Sequence, residues 1–506
     1  MDPSELVNSW LDGRARLGRG GAVELSARAA PTLSDKAQRA YTWIATSAIH
    51  CPYDDMEFGK AVHVGQGEQQ VALHGRVGYA SFLLMPLLTL LTSRRLLIVG
   101  APGRGKTTMA TLMALLSGQP LQSARRSIQH GHPQMTTSDL LGSPLPGDLV
   151  RATQASDIQV AWKAWLGHRV KIIDEYNRIP TKTQSALLSL MADGYAEVFE
   201  QVYTCGPSSW FMTANDDLGG GTFPVIEALK DRIDATVRCT PFNARFIDSL
   251  VDRIEGAHAP ESFVPADLIF TEEELVEADA LIRAVPIPKA VQDALGFFAG
   301  QLDFCRRAST RLESMNKDTL HLAGRKVANV CNEDCPLDKA ESLCTQTESG
   351  VSARAYQSLI HYAKALAWFR GAEAVEIEDL RQLTPLVLHA RLAPNLHSPF
   401  FQKAEHQVLL ADRASWIGQL FDRAIIQHAA YDKVRQPIRE MKARFDEGHR
   451  SLTTAQLRQR MAAVRQQMED LLRRHELNGP VYEDLVMLKN LYYSYQRSLQ
   501  ERRATP

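Results

Sequence analysis

Residues Gly100 to Thr108 read Gly-Ala-Pro-Gly-Arg-Gly-Lys-Thr-Thr. Gly100, Gly105, Lys106 and Thr107 fit G-x-x-x-x-G-K-[ST], the P-loop spacing that wraps backbone around phosphate. Glycine turns tightly and brings no side chain against a ligand. The loop Gly100, Ala101, Pro102, Gly103, Arg104 and Gly105 would therefore surround the phosphates. Free N–H groups from Lys106 through Thr108, at the positive end of a helix, would point at them. Lys106 would reach the β- and γ-phosphates, and Thr107 would hold Mg²⁺. The ligands this spacing calls for are the phosphates of a nucleotide and Mg²⁺.

A second group of residues supplies what hydrolysis needs. "HRVKIIDEYNRIP", His168 to Pro180, is apolar from Val170 to Ile173 and then turns acidic at Asp174 and Glu175. Two acids at the end of a buried strand suit two jobs. Asp174 can complete the Mg²⁺ site begun by Thr107, and Glu175 can take a proton from the attacking water. "SWFMTAND" is another apolar strand, ending in Asn215, whose amide could sense the γ-phosphate or orient the water. Arg232 lies near the end of a short helix in "EALKDRID". It is either a solvated base or, in an oligomer, a group that reaches a neighbour's nucleotide.

These residues require strands that place them. Leu96–Val99, Val170–Ile173, the "SWFMTAND" segment and Ala235–Cys239 are strand candidates, and "TKTQSALLSLMADG" has the pattern of an amphipathic helix. "FLLMPLLTLLTSRRLLIVG" reads as helix, turn and strand, because Pro86, Arg94 and Arg95 interrupt it too often for a membrane span. The 506 residues allow two to four domains. A net charge of −1 gives no global pull toward nucleic acid or an anionic membrane. "MDPSELVNSW" lacks the basic-then-apolar start of a signal peptide, so a cytoplasmic location is expected.

The order of parts resembles the AAA+ ATPases, and within them the MoxR group. The resemblance rests on "GAPGRGKT", "IIDEYNRIPTKTQSALLSLM", "MTAND", "EALKDRID" and "SARA", and runs from about Gly78 to Pro394. It implies an α/β P-loop AAA+ domain, an αβα layering around a parallel five-stranded sheet, followed by an all-α lid. Within that frame "TTSDLLGSPLPGDLV" (Thr136 to Val150) resembles an insertion in the second helix. "YAEVFEQVYTCGPSSW" resembles a hairpin before the sensor strand. Arg354, in Ser352-Ala353-Arg354-Ala355, matches the second sensor arginine, with alanine where the family has proline. The resemblance further implies ATP as the nucleotide, a homo-oligomer, a hexamer most often, and a protein client or von Willebrand factor A domain partner.

The expected organisation is a mainly helical segment over 1–77, the AAA+ domain over 78–245, a lid over 246–394 and a helical extension over 395–506. In the extension, Leu457, Met461, Val464, Met468 and Leu471 form one apolar seam. Val481, Leu485, Leu488 and Tyr495 form another beyond Asn478-Gly479-Pro480, which predicts a helical hairpin. Cys305, Cys331, Cys335 and Cys344 sit in a cysteine-bearing insertion. Four thiolates could bind zinc or an iron–sulfur cluster, yet Cys331 and Cys335 lack the tight C-x-x-C spacing, and reduced thiols in a loop are the plainer expectation. His130 and His132, in "QHGHP", read as solvated loop residues. The function expected is a ring ATPase that remodels or assembles a protein partner. A nucleic-acid-translocating motor and a slow nucleotide-dependent switch are the rivals.

Overall fold

The computed structural model describes residues 32–504 except 50, 60, 65–70, 75–76, 155–156, 216–222, 224, 256–263, 332–333, 340–341 and 449–450. The chain divides into two compact units, Met1–Ile287 with Gln357–Ala390, and Pro288–Tyr356 with Arg391–Pro506.

At the centre of the first unit lies a sheet of β1 (Arg95–Val99), β2 (Ile128–His130), β3 (Val170–Asp174), β4 (Ser209–Ala214) and β5 (Ala235–Arg238). The strands pair in the order β5-β1-β4-β3-β2, every pair parallel. Leu96, Leu97, Ile98, Ile172, Ile173, Phe211, Met212 and Val237 are all buried. Such unbroken apolar runs are what a parallel sheet covered on both faces demands. The sequence left β2 unread, because three residues carry no period. His130 therefore stands at a strand end and not in a loop.

Ahead of the sheet, α1 (Leu33–Trp43) is closed by a capping box between Thr32 and Asp35. Residues 1–31 of the expected helical segment lie outside the described residues, and beyond α1 the described part turns to strand. Met56–Phe58 pairs with Val77–Tyr79 and Ala61–Val64 with Val71–His74, both antiparallel. Short runs rich in valine favour extended chain over helix. α2 (Ser81–Leu91) is buried along its whole length and packs on β1, β4 and β5. α3 (Lys106–Leu116) rises from the P-loop, and α4 (Thr181–Asp193) follows the acid pair. α4 buries Leu187, Leu190 and Met191 in a core shared with Leu97, Ile173, Trp165 and Trp210. The two indoles meet edge to face at 5.9 Å.

Both inserts fold as small units. Thr137–Leu141 is a helix capped by Thr136, and Gly142–Pro144 then pairs with Val160–Trp162. Tyr195–Val198 and Gln201–Thr204 form an antiparallel hairpin. Its two turn residues, Phe199 and Glu200, are both left-handed, at φ 49° and 62°, as a two-residue turn between twisted strands requires.

The second unit contains α5 (Lys289–Asp303), the first residues of α6 (Ala353–Phe369), α7 (Arg413–Asp446), α8 (Thr454–Arg474) and α9 (Gly479–Ala504). α8 and α9 form the expected hairpin over buried Leu457, Val464, Leu471, Val481, Leu485, Leu488 and Tyr495. Ile438 of α7 enters the same core, so three helices share it. α7 buries Trp416, Ile417, Leu420 and Phe421 near its start and Ile438 near its end. No single stripe runs along its 34 residues, which hides it from a periodicity search.

Candidate nucleotide site

Parallel strands send their C-terminal ends to one edge, and three of those ends carry the chemistry. β1 runs into the P-loop, β3 ends at Asp174, and β4, lying between them, delivers Asn215. The register aligns Ala214 with Val99 and Met212 with Ile173. Asn215 therefore emerges between the loop and the acids.

The loop has the conformation its glycines predict. Gly103 and Gly105 are left-handed, at φ 75° and 76°, and Gly105 is the N-cap of α3. A Cβ at either position would meet no heavy atom within 4 Å, so open space borders the loop there. Pro102 is exposed, and Arg104, Thr107 and Thr108 are half-buried. Lys106 is buried. Its amine donates to Gly100 O at 2.6 Å, Ala101 O at 3.0 Å and Asn215 Oδ1 at 2.8 Å. An ammonium has three protons, and all three are in use.

Asn215 faces both ways. Its Oδ1 accepts from Lys106, and its Nδ2 donates to Glu175 Oε1 at 2.8 Å. That orientation of the amide is forced, since an ammonium needs an acceptor and a carboxylate needs a donor. Arg178 holds the other oxygen of Glu175 at 3.1 Å. Asp174 Oδ1 accepts from Thr107 Oγ1 at 3.0 Å and Thr213 Oγ1 at 2.5 Å, while Glu175 N donates to Thr213 Oγ1 at 3.0 Å. Glu175 itself is left-handed, at φ 53° and ψ 48°. The neighbouring groups feel the core. Burial pushes the Tyr176 hydroxyl up to about 12 and pulls the Lys171 amine down to about 8.

Three contributors were not legible in the sequence. Thr213 bridges the two acids. His130 Nδ1 lies 3.3 Å from Asp174 Oδ2. Gly131 N donates to Asp174 O at 2.7 Å, and a Cβ on Gly131 would stand 2.3 Å from Glu175 O. "QHGHP" thus packs against the acid pair.

Arg232 lies apart from this group. Arg232 Nη1 donates to Ala228 O at 3.1 Å, and the guanidinium sits in electrostatic reach of Arg95, where β1 begins. That is the sheet edge opposite the P-loop. Asp234, two residues on, is buried and accepts from Arg95 N at 3.0 Å and Ser358 Oγ at 2.6 Å. Arg354 is exposed near the start of α6, where Ser352 Oγ accepts from Ala355 N at 3.3 Å.

Comparison with known proteins bears on this arrangement. A family model described as "ATPase family associated with various cellular activities (AAA)" matches residues 95–234, and one for the AAA lid domain matches 339–411. Protein MoxR of Paracoccus denitrificans is 26% identical over 336 residues, which is 65% of this chain and 88% of that protein. By these matches the chain is similar to the MoxR-type AAA+ ATPases, and residues 95–234 carry the AAA ATPase module. The uncharacterized protein YeaC of Bacillus subtilis (strain 168) is 29% identical over 216 residues, 41% of this chain and 63% of its own length. A solved structure of an ATPase candidate from Cytophaga hutchinsonii overlays with a TM-score of 0.46 at 20% identity, over 67% of this chain and 89% of that one.

The MoxR-type AAA+ family brings nucleotide binding with it, and the residues at this edge fit such a ligand. The loop is open at Gly103 and Gly105, α3 presents its N-terminus, and Lys106 supplies a cation. The oxygens of Thr107 and Asp174 meet at 3.0 Å and are of the kind a hard divalent cation takes. Among the described residues no helix is long and apolar enough to cross a membrane.

Proposed function

We propose that this chain is a MoxR-type AAA+ ATPase, which hydrolyses ATP with Mg²⁺ and uses the turnover to remodel or assemble a protein partner. The observation that carries the reading is the convergence of Lys106, Thr107, Asp174, Glu175 and Asn215 at one sheet edge. In this account Lys106 gives up its bond to Asn215 Oδ1 and turns that proton to the β- and γ-phosphates. Gly100 to Thr108 would hold the phosphates, and Thr107 and Asp174 would hold Mg²⁺, which would supply positive charge to the transferred phosphoryl group. Glu175 takes the proton of the attacking water, which Asn215 orients. Arg232 lies by the strand beginnings, at the opposite end of the sheet from its own chain's P-loop, which suits a finger supplied to a neighbouring subunit in a hexameric ring. Arg354 is assigned as the second sensor.

A protein client is favoured by the surface of the inserts. Phe199 and Val202 on the hairpin are 46% and 58% exposed, and Leu149 and Val150 are 51% and 87% exposed. Apolar side chains of this kind suit a protein more than a polyanion. A von Willebrand factor A domain protein in the cytoplasm is the partner class carried over from the family resemblance. The test is ATP turnover by the assembled chain alone, with DNA, and with such a partner protein. Stimulation by the protein and not by DNA is the expected result. The reverse would move the assignment to a translocating motor, and negligible turnover under all three conditions would make the chain a switch.

A further inference from the structure

The second unit holds a cluster of ionisable groups that nucleotide chemistry does not use. Cys305 follows α5, Cys331 closes the short helix Val327–Val330, and Cys335 and Cys344 come later in the same loop-rich stretch. The fold gathers them. Cys305 and Cys331 pack on Leu320, Val327 and Val330, while Cys335 and Cys344 pack on Phe304, Leu337 and Tyr482. The two groups are distinct, yet every pair among the four thiols lies within electrostatic reach. None is in a disulfide.

At the same place stands Lys317, with 0% of its surface exposed. Its amine donates to Thr347 O at 2.7 Å and to Thr347 Oγ1. Its ionisable neighbours are Cys344, Cys305, Asp303 and Cys331. A wholly buried ammonium is costly unless negative charge lies beside it. Asp303 is the one carboxylate among those neighbours. Four neutral thiols do nothing for the ammonium. Four thiolates on a metal would surround it with negative charge.

We propose that Cys305, Cys331, Cys335 and Cys344 ligate an iron–sulfur cluster, with Lys317 as its buried counter-charge. Each thiol loses its proton to solvent on ligation, and no change of oxidation state is needed in the protein. Soft thiolates select zinc or iron–sulfur centres. A lone zinc needs its sulfurs about 2.3 Å from a single point. Among the described residues no three histidine, cysteine or acidic side chains converge closely enough for a single ion. Thiols that are gathered but do not meet at a point match a ligand with a core of its own. This inference is independent of the nucleotide reading.

The test is made on the full chain, purified without oxygen and reconstituted with ferrous iron and sulfide. The expected result is roughly two to four iron atoms per chain with equal sulfide, the range of four-cysteine clusters, and a visible absorption bleached by dithionite. Cys331→Ser and Cys335→Ser should each lose most of the iron while binding a fluorescent ATP analogue as the parent chain does. Lys317→Met should keep its iron and shift the cluster's midpoint potential to more negative values, since the reduced state loses a neighbouring cation. A colourless folded chain without iron and sulfide, stoichiometric zinc in their place, or serine variants that retain the iron would overturn the proposal. An unmoved midpoint in Lys317→Met would remove Lys317 from it.

Discussion

At the scale of single residues, the site is a chain of exchanges around Asn215. Lys106 has no spare donor in the arrangement seen, so phosphate must take a proton now given to Gly100 O, Ala101 O or Asn215. The bond to Asn215 is the natural one to yield, since the other two hold the loop's own backbone. Lys106→Ala deletes the cation, and each charge-assisted bond lost is worth about 1.5–3 kcal/mol. Titration with a fluorescent ATP analogue should show affinity lowered by at least one such increment. Undiminished affinity would contradict the P-loop assignment. Glu175→Gln should bind the analogue normally and turn ATP over roughly 10²–10⁴-fold more slowly, because an amide cannot take the proton. A variant with full turnover would show that the base lies elsewhere. Lys106, Thr107, Asp174 and Glu175 were legible in the sequence because their chemistry fixes short local spacings. Thr213, Gly131 and His130 were not, because they reach the acids across the sheet from distant parts of the chain.

At the scale of elements, strand order does the positioning. β2 is only Ile128–His130, yet it sets Gly131 against the backbone of the acid pair. A methyl group there would press on Glu175 O, and backbone cannot rotate out of the way as a side chain can. Gly131→Ala should lower ATP turnover by up to about 10²-fold, the cost of displacing a reacting group by about 1 Å, while analogue binding changes far less. Equal losses in both would point to general misfolding. The four other strands of the sheet were legible as apolar runs. The hairpin of α8 and α9 was legible from its seams, whereas α7 was not, since its buried residues cluster at separate ends. Leu471 is 2% exposed within that three-helix core. Leu471→Ala should cost about 2–5 kcal/mol, read as an earlier denaturant midpoint for the second unit.

At the scale of the whole molecule, the position of Arg232 matters most. It lies by the beginnings of the strands, and the P-loop lies at their ends, so one chain does not bring the two together. If a neighbour's nucleotide is its target, Arg232→Ala should bind ATP nearly normally and lose roughly 10³–10⁵ in turnover, the contribution of an arginine finger supplied in trans. Mixing is the sharper measurement. Arg232→Ala subunits combined with Glu175→Gln subunits should regain activity, because some interfaces then pair an intact Glu175 with an intact Arg232. If subunits exchange and activity stays absent, shared sites are excluded and Arg238, exposed at the end of β5, is the next arginine to examine. Nothing in composition or local spacing could settle this, because it depends on which end of a parallel sheet each segment occupies.

The left-handed backbone at Glu175 carries a liability for anyone improving this protein by selection. A residue with a Cβ held there bears about 1–3 kcal/mol of strain, which glycine would relieve at some entropic cost. Glu175→Gly is therefore a route by which a screen for thermal tolerance alone would enrich inert molecules. Hardiness and usefulness pull against each other at this one position, and any library that includes it needs turnover in the readout.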